Sequence, residues 1–106
     1  MDKRITTRIK THQLARVCGK MGVVNNMSDT GLQIATAVLP KTRKVDVSFE
    51  ASGEEIKIVG TVQWFRRKNS LQNLNQLGVV VKEAPQTYRQ LVLNLYNAEA
   101  AEHNLA

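Results

Sequence analysis

A chain of 106 residues is the size of one domain, and residues 1–106 are expected to form a single unit. Hydrophobic residues make up 42% of it, and no apolar run approaches the ~20 residues that a membrane-spanning helix needs. The charged N-terminus lacks the apolar stretch of a secretory signal. The lone cysteine, Cys18, excludes an intrachain disulfide and a cysteine-based zinc site. These features predict a soluble, cytoplasmic domain without membrane insertion.

Positive charge is concentrated at the N-terminus of a chain whose formal net charge is +6. Residues 1–20 contain six basic residues and one acidic residue, whereas residues 83–106 contain one basic and three acidic residues. Such a field favours an anionic partner, which is a nucleotide, a nucleic acid or a membrane surface. The alternative is a solvated basic tail that only confers solubility.

Several short segments have the alternation or the β-branched composition that is typical of strands. Val45, Val47 and Phe49 alternate with polar residues, as in a strand that is buried on one face. Ala51-Ser52-Gly53-Glu54 then predicts a tight hairpin turn. The strands are predicted at about residues 13–18, 22–24, 32–35, 45–50, 56–64 and 78–81, with polar loops at 25–31 and 66–76.

The pattern changes to helical after Ala84. Pro85 suits the first turn of a helix, where its missing N–H is not needed. A C-terminal helix is predicted at about residues 85–100, and its apolar face is expected to pack on the sheet through Tyr88, Leu91, Val92, Leu95 and Tyr96. Together the elements predict a mainly β protein, a small six-stranded antiparallel β-barrel with a C-terminal α-helix, since closure removes exposed strand edges.

No residues form a recognisable catalytic or metal-binding set. His12 and His103 are far apart, and neither has a Cys, Asp or Glu partner at metal-ligand spacing. The pair Glu54-Glu55 lies in the predicted hairpin turn, where solvated carboxylates are expected. No nucleophile elbow, P-loop or dinucleotide-binding glycine motif occurs. We therefore predict a binding protein and not an enzyme, with no catalytic residue, no metal and no cofactor.

The segment Asn26-Met27-Ser28-Asp29-Thr30-Gly31 joins two predicted strands and has the composition of an anion-binding turn. Asn26 offers both an acceptor and a two-hydrogen donor, which can read the edge of a purine. Ser28 and nearby backbone N–H groups can donate to phosphate, and Gly31 lets the backbone turn sharply or approach a ligand closely. The alternative is an ordinary turn, in which Asn26 bonds its own backbone and Gly31 has a positive φ.

Arg4-Ile5-Thr6-Thr7-Arg8 places two guanidinium groups four residues apart before the first strand. Each group can hold a phosphate with two hydrogen bonds, stack on a base or bind the Hoogsteen edge of guanine. The spacing R-x-x-x-R is common by chance, whereas N-x-S-x-x-G is rarer. The alternative is a pair of exposed arginines in a mobile tail.

With both motifs in this order before a β-rich body, the chain resembles the PilZ domain family. That family is marked by R-x-x-x-R in an N-terminal loop and [D/N]-x-S-x-x-G at a strand junction, within a six-stranded antiparallel barrel followed by a helix. Its members are bacterial receptors for the second messenger cyclic di-GMP. The resemblance extends from residue 3 to about residue 97 and includes the segments 60–64 and 77–79.

The resemblance implies cyclic di-GMP as the ligand and a role for each motif residue. Arg4 and Arg8 are expected to hold phosphates and guanines from a loop that wraps over the ligand. Asn26 is expected to read a guanine edge, Ser28 to bind phosphate and Gly31 to permit the turn. Only 17 residues separate Arg8 from Asn26, so the first hairpin is expected to be compact.

Lys3 and Trp64 are further candidate ligand contacts. Lys3 precedes Arg4 and is placed to add a phosphate contact. Trp64 matches a tryptophan that some PilZ domains have near the site, although a core or barrel-rim position is the more common role for such a residue. Residues 1–10 are expected to be a flexible arm that folds over the ligand and alters the surface presented to a downstream protein partner.

Two alternative functions remain open at this point. A nucleic-acid-binding barrel would use the same basic arm, but such proteins usually need aromatic stacking platforms. Only five aromatic residues occur, and Phe49, Tyr88 and Tyr96 are expected in the core or in helix packing, so nucleic acid is the less favoured partner. The second alternative is a PilZ-like adaptor that has lost ligand binding and only docks a protein partner.

Overall fold

The computed structural model describes residues 4–67 and 74–104, in which six antiparallel strands form a closed barrel and one helix follows them. The elements are β1 (Ile9–Val17), β2 (Lys20–Met27), β3 (Gly31–Thr36), β4 (Lys44–Ala51), β5 (Glu54–Arg67), β6 (Asn75–Glu83) and α1 (Gln86–Asn104). Neighbouring strands follow the order β1-β2-β3-β6-β5-β4, and β4 returns to β1. The predicted six-stranded antiparallel β-barrel with a C-terminal helix is confirmed.

The core is built from the inward positions of the strands. On β4, Val45, Val47 and Phe49 are buried, while the intervening Asp46 and Glu50 are exposed. Successive side chains of a strand point to opposite faces, so this alternation directs one face into the barrel. Inward residues of the other strands complete the cluster, among them Ile9, Val24, Leu32, Ile58 and Leu77. Burial of this apolar surface is the main favourable contribution to folding.

Two-residue turns connect two of the hairpins. Cys18 and Gly19, with φ of 51° and 85°, join β1 to β2. Ser52 and Gly53, with φ of 54° and 79°, join β4 to β5. Positive φ at both central residues is the turn geometry that matches the right-handed twist of the flanking strands. The Ser52-Gly53 turn confirms the sequence prediction, and the Cys18-Gly19 turn makes the first hairpin compact, as expected.

Several strands are longer than the sequence predicts. β1 begins at Ile9, so the last two residues of the expected flexible arm belong to the barrel. β2 includes both asparagines of the predicted polar loop, and its pairing with β3 has a bulge between Val24 and Asn26. β5 reaches Arg67 and β6 begins at Asn75, which shortens the predicted loop between them. Polar residues on the outward face of a strand have the composition of a loop, and this resemblance explains the errors.

Helix α1 packs on the barrel through one narrow face. Tyr88 and Val92 are buried in the core cluster, and Leu95 packs against it. Leu91 also packs against the cluster as expected, whereas Tyr96, which was expected in this packing, is 41% exposed. The helix also ends at Asn104, beyond the predicted limit at residue 100.

Candidate functional site

The turn between β2 and β3 is held by Ser28. The Ser28 N–H donates to the carbonyl oxygen of Gly31 at 2.9 Å. The Ser28 hydroxyl oxygen accepts from the backbone N–H groups of Gly31 at 3.2 Å and of Thr30 at 3.3 Å. Ser28 is fully buried, so its hydroxyl caps the turn from inside. The phosphate contact expected of Ser28 is therefore not open to its side chain in this conformation.

Tyr88 ties this turn to helix α1. Its buried hydroxyl donates to the carbonyl oxygen of Ser28 at 2.6 Å. Burial raises the pKa of the Tyr88 hydroxyl, the negative charge of Asp29 raises it further, and the positive charge of Arg8 opposes them. The hydroxyl therefore stays protonated and remains a donor. Sequence analysis placed Tyr88 in the helix packing but did not predict this bond, which joins residues 60 positions apart.

Arg8 and Asn26 meet on the outside of the barrel. The Nη1 atom of Arg8 donates to Oδ1 of Asn26 at 3.0 Å, so one residue from each sequence motif takes part. Gly31 lies directly beneath, and a Cβ atom there would be 2.7 Å from Nη2 of Arg8. Among the described residues the glycines with positive φ are Gly19 and Gly53. Gly31 is thus required for the close approach of Arg8 and not for a left-handed backbone.

The segment before β1 is joined to the turn by Ile5 and Asp29. The Ile5 N–H donates to Oδ2 of Asp29 at 2.7 Å, and the Asp29 N–H donates to the Ile5 carbonyl oxygen at 2.8 Å. Arg4 precedes this contact and is exposed. Lys3, the other basic candidate, lies outside the described residues. The arm that the sequence suggested would be free is therefore in contact with the barrel at Ile5.

A chain of side-chain amides continues the surface from Asn26 across the sheet. The Nδ2 atom of Asn26 donates to Oε1 of Gln33 at 2.5 Å. The Oε1 atom of Gln76 accepts from Gln33 and from Asn25, each at 3.4 Å. The bulge in β2 brings the side chains of the consecutive residues Asn25 and Asn26 into this surface together. Neither glutamine was predicted as a site residue, because Gln33 is a single polar residue between apolar neighbours and Gln76 falls in the predicted polar loop.

Trp64 lies at the far end of this surface and is 41% exposed. It is the cross-strand partner of Gly78, and a Cβ atom at Gly78 would collide with its indole ring. An indole lying over a strand glycine covers backbone that has no side chain of its own. A cleft of about 230 Å³ opens beside the ring and is lined by Asn25, Gln33, Trp64, Arg66 and Gln76. Trp64 is thus on the outer surface and not in the core.

A larger cleft of about 420 Å³ lies on another part of the barrel, where β4 meets β1. The ladder between these strands pairs Arg16 with Ser48 and Val17 with Val47, and the Gln13 side chain donates to the Glu50 carbonyl oxygen at 3.2 Å. The charged residues that line the cleft are Arg16, Glu50 and Glu55. Two carboxylates against one guanidinium disfavour an anionic ligand. The better candidate is therefore the surface described above, despite its smaller cleft. We call it the Arg8–Asn26 surface, and it is formed by Arg8, Asn25, Asn26, Gln33, Trp64 and Gln76.

Other indications of function are sparse. Among residues 4–67 and 74–104, no three His, Cys, Asp or Glu side chains are grouped so that they could hold a metal ion. No helix in that part of the chain is both long and apolar enough to cross a membrane. No protein-family model, curated protein or solved structure matches the chain.

Proposed function

We propose that this chain is a receptor for cyclic di-GMP, which binds on the outer surface of the barrel around Arg8 and Asn26. The observation that carries the proposal is the Arg8–Asn26 hydrogen bond, because it joins the two motifs on which the resemblance to PilZ domains rests. A small barrel can host many functions, so the support comes from this site and not from the fold.

The side chains of this surface suit a ligand with two phosphate charges and two guanine bases. Arg4 and Arg8 are exposed and offer paired N–H donors for a phosphate or for the Hoogsteen edge of guanine. Asn26 offers an amide that can exchange its contacts with Arg8 and Gln33 for a guanine edge. The exposed indole of Trp64 provides a ring on which a base can stack.

Ser28 and Gly31 contribute to the proposed site by shaping it. Ser28 fixes the turn through its buried hydroxyl, and Gly31 leaves space for the Arg8 guanidinium. The excess of basic residues among residues 1–20 adds a positive field that attracts a dianion. Binding energy at the proposed site would thus come from the exposed arginines and the half-buried amides, on a turn that is already ordered.

In the proposed mechanism the ligand engages Arg4 and Arg8 and so changes the surface that the N-terminal segment presents. A downstream protein partner then responds to the changed surface. The chain acts as a cytoplasmic signalling receptor of this kind, without catalysis, metal or cofactor. An enzyme role would need a set of reactive side chains, and the proposed site contains arginines, amides and one indole.

Calorimetric titration with cyclic di-GMP, with GTP and cyclic di-AMP as comparison ligands, tests the proposal directly. We expect binding of cyclic di-GMP and at least about tenfold weaker binding by Arg4→Ala or Arg8→Ala. A charge-assisted hydrogen bond contributes ~1.5–3 kcal/mol, and each ~1.4 kcal/mol is a factor of ten in affinity. Arg16→Ala is the matched control, since Arg16 is an exposed arginine of β1 that lies in the seam with β4.

Two results would contradict the proposal. The site is wrong if Arg4→Ala and Arg8→Ala both titrate like the unmodified protein. The ligand is wrong if the protein prefers long single-stranded oligonucleotides to cyclic di-GMP and its affinity falls steeply with salt, as phosphate-backbone binding requires.

A further inference from the structure

Besides the Arg8–Asn26 bond, the N-terminal segment is joined to the barrel by two residues that lie inside the motifs but do not define them. Ile5 lies between Arg4 and Arg8, and Asp29 lies between Ser28 and Gly31. Their two reciprocal hydrogen bonds, at 2.7 Å and 2.8 Å, connect positions 24 residues apart in the chain. Three of the four groups in these bonds are backbone groups, so the Asp29 carboxylate is the one side-chain group in them; the Ile5 side chain packs separately against the core.

We propose that Asp29 is a positioning residue, which holds the arginine arm (residues 4–8) on the barrel in the orientation that the ligand requires. This inference rests on the proposed function, because it specifies how the two arginines are presented to cyclic di-GMP. Asp29 acts through the backbone of Ile5 and does not itself contact the ligand.

The burial of Asp29 supports this role. Its Oδ2 atom accepts from Ile5, while Oδ1 is buried and has no hydrogen-bond partner among the described residues. A buried carboxylate oxygen without a partner is costly, so this side chain is a poor choice for stability alone. A charged acceptor makes a stronger bond to a backbone N–H than a neutral one does, which suits a contact that must restrain a chain segment.

Asp29 is itself held firmly by the turn. The neighbouring Ser28 is anchored by the Tyr88 hydroxyl of α1 and by its own bonds to Thr30 and Gly31. Hydrogen bonds of Asp29 to Ile5 and of Ser28 to Tyr88 therefore connect the arm to the barrel and the helix. Ordering a free segment on binding costs ~1–2 kcal/mol per backbone residue, so an arm that is already held lowers the cost of binding.

Hydrogen exchange and calorimetry on four variants test the inference. Asp29→Ala removes the acceptor, and Ile5→Pro removes the donor from the other side. Asp29→Asn keeps an acceptor oxygen and serves as the conservative rescue. Asp46→Ala, an exposed aspartate of β4, is the control for the change in charge.

We expect Asp29→Ala and Ile5→Pro to speed amide exchange across the arginine arm without changing exchange in β6. We also expect both variants to bind cyclic di-GMP about 10- to 100-fold more weakly. This is the change in affinity that corresponds to the free energy of one charge-assisted hydrogen bond. Asp29→Asn should bind more tightly than Asp29→Ala, and Asp46→Ala should behave like the unmodified protein. A role in stability alone would change exchange throughout the barrel and leave the affinity of the folded protein intact.

The outcomes separate the failure of this inference from the failure of the proposed function. Unchanged exchange in the arm of both Asp29→Ala and Ile5→Pro overturns the inference, whether or not the ligand binds. Faster exchange with normal affinity also overturns it, because the contact would then not position the arginines. If the unmodified protein does not bind cyclic di-GMP, the proposed function fails, and the presentation of the arginines to that ligand falls with it. If Asp29→Ala does not fold, Ile5→Pro decides between these outcomes, since it leaves the buried turn unaltered.

Discussion

The hydrogen bond from Tyr88 to Ser28 should make a measurable contribution to stability. Tyr88→Phe removes one hydroxyl and leaves the ring in place, so the core keeps its packing. The Ser28 carbonyl oxygen then loses the donor that lies 2.6 Å away. Leaving a buried acceptor without a partner costs ~1–3 kcal/mol. For a domain of about 100 residues, each kcal/mol of unfolding free energy that is lost lowers the melting temperature by roughly 4–8 °C.

Tyr88 should also make the stability depend on pH in the alkaline range. The pKa of its hydroxyl is raised in the folded protein, first by burial and then by Asp29. The stabilisation is therefore complete below the ordinary tyrosine pKa of about 10 and is lost as the pH rises above it. The slope is at most ~1.4 kcal/mol per pH unit for one group. Tyr88→Phe should not show the part of the alkaline loss of stability that ionisation of the Tyr88 hydroxyl causes.

Urea unfolding followed by circular dichroism between pH 7 and pH 11 measures both effects. Tyr96→Phe is the matched control, because Tyr96 lies on the same helix and is 41% exposed. If Tyr88→Phe unfolds at the same urea concentration as Tyr96→Phe and shows the same alkaline decline, the bond between the helix and the turn does not stabilise the protein.

Two further predictions concern the surface of the proposed site. Gly31→Ala would place a Cβ atom 2.7 Å from Nη2 of Arg8 and 3.0 Å from the Val79 carbonyl oxygen, so we expect about 1–3 kcal/mol of destabilisation and displacement of Arg8. Calorimetry should then show weaker binding of cyclic di-GMP, and normal affinity would indicate that Arg8 does not need this position. Trp64 is the only tryptophan of the chain, so tryptophan fluorescence reports on the cleft beside its ring without a contribution from a second tryptophan. We expect cyclic di-GMP to change that fluorescence, and an unchanged spectrum at saturation would exclude contact with the indole.

The barrel was predictable because its signals are local. Val45, Val47 and Phe49 alternate with polar residues within one strand, and Ser52-Gly53 has the composition of a two-residue turn. The strand limits were less predictable. Asn25 and Asn26 have the composition of a loop, and the pairing of Asn26 with Lys10 of β1 and Gln33 of β3 makes them part of a strand with a bulge. Such pairing depends on residues that are distant in sequence.

The contacts of the proposed binding surface were predicted in part. Sequence analysis selected Arg8 and Asn26, and the structure brings them within hydrogen-bond distance. It expected the Ser28 hydroxyl to face a phosphate, whereas the buried hydroxyl caps its own turn. It did not select Gln33, Gln76, Arg66 or Asp29, because no local pattern shows which outward side chains become neighbours across strands.

The sequence by itself determined the strand alternation, the turn at Ser52-Gly53, the placement of charge and the spacing of the two motifs. These are properties of residues close together in the chain, where backbone preferences and periodicity act directly. The tertiary structure decided which residues meet. The contacts of Arg8 with Asn26 and of Ile5 with Asp29 arise only when the chain returns on itself in the barrel. The strand register and the β2 bulge, which packing sets, place the side-chain amides on one surface.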